Sequence, residues 1–235
     1  GSIVALVFLA VAGNEKRAAA GLTRQNWKSA VLIVLAFVGI YIVRTVVSVA
    51  VQGVSDGSGM QYVKEWAAMF KNPMMWLNIA ALPINYFFVF IAFFGEEYGW
   101  RYYLQPVLQK RFGLRAGVII LGIVWGLWHI PDDLFYYTQT SGIQMIFAQQ
   151  ITCISLGIFF AYAYMKTQNI WVPVCLHYLN NNLIPIISGT FSADVLENQT
   201  VSWKDLPVAL VLNGLCFGFF LLADVFKKKE VQEEE

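Results

Sequence analysis

Two adjacent carboxylates, Glu96 and Glu97, sit in the run FVFIAFFGEEYGWRYYLQPVL, which is otherwise apolar and aromatic, with Arg101 just beyond them. A charge deep in a membrane costs roughly 3 kcal/mol on insertion scales, so each one needs a reason to be there. Glu97 and Arg101 are four residues apart and share a helical face in the order that favours an ion pair, which makes Glu97 a supporting rather than a reactive group. Glu96 is rotated by about 100° and must point elsewhere, as the unpaired acid. Downstream, GIVWGLWHIPDD carries His129, with Pro131 expected to end or kink its helix. WVPVCLHYLNNN places His177 and Asn181 on one face, while Asn180 and Asn182 point away from it.

Peptide hydrolysis needs a base for water, a proton for the leaving amine and donors for the developing oxyanion. Glu96 can serve as base and then acid, because a low-dielectric setting brings a carboxyl group closer to neutrality. His129 can hold the same water, and His177 and Asn181 can donate to the oxyanion. No Ser or Cys has a base at helical spacing, which disfavours a covalent route. Arg44 is expected to reach a helix partner or to snorkel, and Asp132 and Asp133 to face the outer interface or a wet cavity.

The elements that must hold these groups are membrane helices. Of 235 residues, 58% are hydrophobic and 13% charged, about half the usual charged share, and mean hydropathy is +0.57. Gly1 and Ser2 read as a scar or processed start before a truncated first helix, 3–12. Further apolar segments cover 29–51, 73–108 with a break near Pro83, 116–130, 142–165, 170–187 and 206–226. The expectation is an all-α, polytopic transmembrane bundle of about seven helices, one domain over 1–235, with a motif core at about 90–185 and a charged tail at 227–235. A hairpin turning at Gly113 sets Glu96 and His129 level, each roughly 25 Å from the turn. The short helix ending near Pro131 hints at a cavity on the outer side.

Lys16, Arg17, Arg24, Lys28, Lys110, Arg111, Arg115, Lys166 and Lys227 to Lys229 fall on one set of connectors, against Lys64, Lys71 and Lys204 on the other. The bias predicts a multi-pass protein of the cell membrane with a cytoplasmic C-terminus. A formal net charge of +1 supplies no field for nucleic acid, leaving the lipid bilayer and a membrane-associated peptide or protein as expected partners. Cys153, Cys175 and Cys216 lie in apolar stretches and read as packed thiols.

In order, EExxxR (Glu96, Glu97, Arg101), an aromatic residue four before a histidine (Trp125, His129) and HxxxN (His177, Asn181) resemble the CAAX protease and bacteriocin-processing family, also called Abi. This family of glutamate intramembrane proteases includes the Ras-converting CAAX endopeptidases. The resemblance implies an intramembrane endopeptidase in which Glu96 and His129 activate water, His177 and Asn181 form the oxyanion hole, and Glu97, Arg101 and Trp125 support them. Trp125 stands where the family usually has Phe. No cofactor is expected. A zinc held by the Glu and two His residues is a variant, although no HExxH helix is present. Alternatives are a non-catalytic immunity or scaffold protein using the same cavity, and a transporter with a proton-relay carboxylate. The latter lacks an inverted repeat.

Overall fold

The computed structural model describes residues 13–190 and 193–227, with Val7 and Val11. Apart from Val7 and Val11, the expected first helix at 3–12 lies outside the described residues, as does the tail beyond Lys227. The elements are α1 (Asn14–Ala19), α2 (Trp27–Ser55), α3 (Gln61–Met69), α4 (Pro73–Glu97), a π-helical stretch (Tyr98–Leu104), α5 (Gln105–Phe112), α6 (Leu114–Trp128), α7 (Ile130–Phe135), α8 (Gly142–Thr167), α9 (Trp171–Ser188), α10 (Ala193–Glu197) and α11 (Asp205–Cys216). Two 3₁₀ turns, Gly218–Leu222 and Asp224–Phe226, close the described chain. No strand is present among the described residues. Four helical stretches are long and apolar enough to cross a membrane: Trp27–Ser55, Pro73–Phe112, Leu114–Phe135 and Gly142–Thr167. The chain is an all-α membrane bundle.

Helix α8 is its axis. Every residue from Ser155 to Ala161 is buried, the pattern of a helix covered on all sides. Its C-terminal end is fixed twice: Gln168 adopts a left-handed conformation (φ 50°) that stops the helix, and Asn26, just before α2, donates from Nδ2 to the Thr167 carbonyl (3.0 Å). Helix α6 packs against α8 at unusually short range. A Cβ on Gly122 would lie 2.6 Å from Ile154 Cα, and Gly157 of α8 faces Gly122 directly. This approach sets the position of everything at the end of α6, His129 included.

The hairpin between α5 and α6 turns at Gly113 (φ 89°), where a side chain would be strained. Gly117 lets α6 lie against the backbone of Leu108 and Gln109.

Three expectations are corrected. The helix does not break at Pro83, since α4 runs through it to Glu97. A proline removes one backbone bond, a loss that helices within a membrane bundle tolerate; beside it, the Tyr178 hydroxyl donates to the Leu82 carbonyl (2.7 Å) and ties α9 to α4. The irregularity falls instead on the π-helical stretch directly after Glu97. The chain does leave its helix just before Pro131, as expected, but the outer cavity inferred from a short span does not follow. The backbone turns at His129 and restarts as α7 with Pro131 in the first turn, where its missing N–H is no loss. Residues Leu114–Phe135 thereby reach the length of a span, which removes the argument for an outer cavity. Finally, Asp133 is fully buried, with neither carboxylate oxygen hydrogen-bonded among the described residues. Helix α7 folds against α8 and carries Asp133 inward, while Asp132 stays exposed.

Candidate active site

The polar residues divide between a closed knot and an open face. At the centre of the knot is Glu97, fully buried at the end of α4. One oxygen accepts from Arg101 Nε at 2.8 Å and the other from His177 Nδ1 at 2.9 Å. Arg101 is itself fully buried. It also donates from Nη1 to the Gly157 carbonyl (3.3 Å) and lies over the rings of Trp125 and Phe160, at 5.3 and 5.5 Å. The knot therefore joins α4, the π-helical stretch, α6, α8 and α9. Removing one member of such a pair strands a buried charge, which costs about 3–5 kcal/mol. The sequence pairs Glu97 with Arg101 correctly, but spacing within one segment gives no sign that His177, eighty residues away, completes the set.

Trp125 links the knot to the open face. Its ring meets His177 at 5.4 Å and His129 at 5.9 Å, both edge-on. His129, half-buried where α6 gives way to α7, donates from Nδ1 to the Trp125 carbonyl at 2.9 Å. With that proton committed, Nε2 carries the lone pair. Glu96 is half-buried and makes no hydrogen bond or ion pair among the described residues. Glu96 and His129 share a neighbour in Cys153, whose sulfur is 3.9 Å from His129 Nδ1 and within electrostatic range of Glu96. No hydrogen bond or ion pair joins the two among the described residues.

On α9, His177 is 3% exposed while Asn181, one turn on, is exposed. His177 uses Nδ1 on Glu97, so only Nε2 remains for other work. Asn181 accepts from Asn180 through Oδ1 (2.9 Å), which leaves its amide protons free. The flanking asparagines tie α9 to other helices: Asn180 accepts from the Tyr41 hydroxyl on α2, and Asn182 accepts from Asn85 on α4 (3.2 Å).

Three features escaped the sequence reading. Cys153 beside His129 comes from a separate helix with no motif of its own. It is 2% exposed, and His129 Nδ1 faces it only while bonded to a carbonyl, so the thiol is packed rather than poised for attack. Asp133 is one turn beyond His129, its N–H bonded to the His129 carbonyl (2.9 Å), and only tertiary burial sets it apart from Asp132. The Tyr41 contact to Asn180 spans 139 residues, beyond any local pattern.

Among known sequences, residues 76–183 match the family model described as type II CAAX prenyl endopeptidase Rce1-like. A curated relative, CAAX prenyl protease 2 of Methanococcus maripaludis, is 28% identical over 125 residues, which is 49% of this chain and 45% of the relative. The match thus spans less than half of that protein's length. No solved structure matches the chain. The matched segment contains Glu96, Glu97, Arg101, Trp125, His129, His177 and Asn181, so it is in the Rce1-like CAAX prenyl endopeptidase family that the resemblance carried by the three motifs finds its match.

Proposed function

We propose that the chain is a glutamate-dependent intramembrane endopeptidase that hydrolyses a peptide bond in a membrane-associated substrate of the prenylated CAAX type. The observation that carries this reading is the contrast within one dipeptide, where Glu97 is bonded through both oxygens while neighbouring Glu96 is partly accessible and unpaired among the described residues. An unpaired intramembrane carboxylate is a functional group by default.

In this mechanism Glu96 takes a proton from water, which His129 orients by accepting a hydrogen bond at Nε2. The water oxygen forms a bond to the carbonyl carbon, and the carbonyl electrons move onto oxygen. Asn181 Nδ2 and His177 Nε2 donate to that oxyanion. Because His177 Nδ1 already donates to Glu97, Nε2 donates only when it too carries its proton, and the Glu97 carboxylate is the counter-charge for that ring. As the C–N bond breaks, Glu96 returns its proton to the leaving amine.

No metal has a role in this reading, and activity is expected to survive chelation. The zinc variant requires activity to fall on chelation and to return with added zinc. The cytosolic side suits the substrate class and agrees with a cytoplasmic C-terminus from the basic connectors. The test is the purified chain in lipid nanodiscs with a prenylated CAAX peptide and its unprenylated counterpart, products being identified by mass spectrometry. Cleavage that prefers the prenylated peptide supports the proposal. Intact peptide, with a folded protein, leaves the non-catalytic binding reading.

A further inference from the structure

Asn181 is an exposed side chain whose amide can face either way, and an oxyanion donor needs its NH₂ group turned to the substrate. What fixes that choice begins outside the family match. On α2, the Tyr41 hydroxyl donates to Asn180 Oδ1 (2.5 Å), and Asn180 Nδ2 donates to Asn181 Oδ1 (2.9 Å). An amide oxygen only accepts, so with the Tyr41 hydroxyl donating to Asn180 Oδ1, Asn180 turns its Nδ2 to Asn181 Oδ1 and both Asn181 N–H groups are left free.

Tyr41 is held firmly enough to impose this order. It is 5% exposed, and its ring meets Phe37 and Phe217 at 5.0 Å each. The Arg44 guanidinium lies 5.7 Å from the same ring, and Arg44 Nε donates to Asn213 Oδ1 on α11 at 2.9 Å. Arg44 also borders a cavity of about 550 Å³ that reaches Ser48, Gln52 and Lys204. Ring packing alone would be met by a phenylalanine among these neighbours. The hydroxyl is the group that packing does not explain.

We propose that Tyr41 and Asn180 are positioning residues for Asn181, so that α2, which lies outside the family-matched segment 76–183, orients the oxyanion donor. The inference rests on the proposed role of Asn181, and its test separates the two.

Tyr41→Phe and Asn180→Ala are made in the full chain, alone and in an Asn181→Ala background, with kcat and KM measured on a cleaved peptide. Side-chain amides are followed by NMR of the chain labelled with ¹⁵N-asparagine, the Asn181 signal being assigned from its loss in Asn181→Ala. Removing an oxyanion donor costs about 10²–10³ in kcat, and mispositioning costs part of that. Each variant alone should therefore lose roughly tenfold in kcat with KM held within about twofold. Neither should lose anything further once Asn181 is alanine, because groups acting through one another are non-additive. The Asn181 amide signal should move in Tyr41→Phe.

An equal loss in both backgrounds, or full activity in Tyr41→Phe, would overturn the proposal. So would an unmoved Asn181 signal. Full activity in Asn181→Ala would remove the oxyanion assignment itself, whereas a shifted amide signal would still support the orientation of Asn181 by Tyr41.

Discussion

Glu96 and Glu97 are neighbours in sequence, identical in chemistry and opposite in surroundings. Glu97 is fully buried, and Arg101 and His177 each occupy one of its oxygens. Glu96 is half-buried and unpaired among the described residues. A fully buried carboxylate bonded through both oxygens is closed off from a substrate, and removing it costs structure. An unpaired one costs stability to keep and is free to move a proton. The proposed function turns on this contrast, assigning the fully bonded Glu97 to the scaffold and the loosely held Glu96 to the chemistry.

His129→Ala removes the orienting base from the open face and should lower kcat by about 10²–10⁴ while the melting temperature stays near wild type; an inactive variant that no longer folds would move His129 into the scaffold. Glu97→Ala strands Arg101 and should destabilise the protein by about 3–5 kcal/mol, read from unfolding in detergent. If it unfolds like wild type, the knot is not structural. Asn181→Ala should lose about 10²–10³ in kcat with little change in unfolding. Cys153→Ala should retain activity within about twofold, since the thiol is packed and contributes no nucleophile; loss of activity with a folded protein would favour a covalent route through Cys153 and His129.

Much of this division is legible in the chain because it depends on local spacing. The i to i+4 relation pairs Glu97 with Arg101 and frees Glu96, and the same relation sets His177 and Asn181 on one face. Gly113 marks the hairpin turn because a left-handed backbone there suits glycine. What local spacing does not carry is contact across helices. The bond from His177 to Glu97, the burial of Asp133 against α8 and the donation from Tyr41 to Asn180 all depend on how helices meet. Backbone geometry is the second blind spot. Pro83 and Pro131 look alike as helix breakers, yet one is carried within α4 and the other opens α7, while the real irregularity is a π-helical stretch with no proline in it.

The most direct test is the pair Glu96→Gln and Glu97→Gln, each measured for peptide cleavage and for unfolding. Glu96→Gln should abolish cleavage, by about 10²–10⁴ or more, and leave stability within about 1 kcal/mol, because it removes a proton acceptor that nothing in the scaffold uses. Glu97→Gln should lower stability first. Cleavage retained in Glu96→Gln, with the loss of activity falling on Glu97→Gln, would contradict the account.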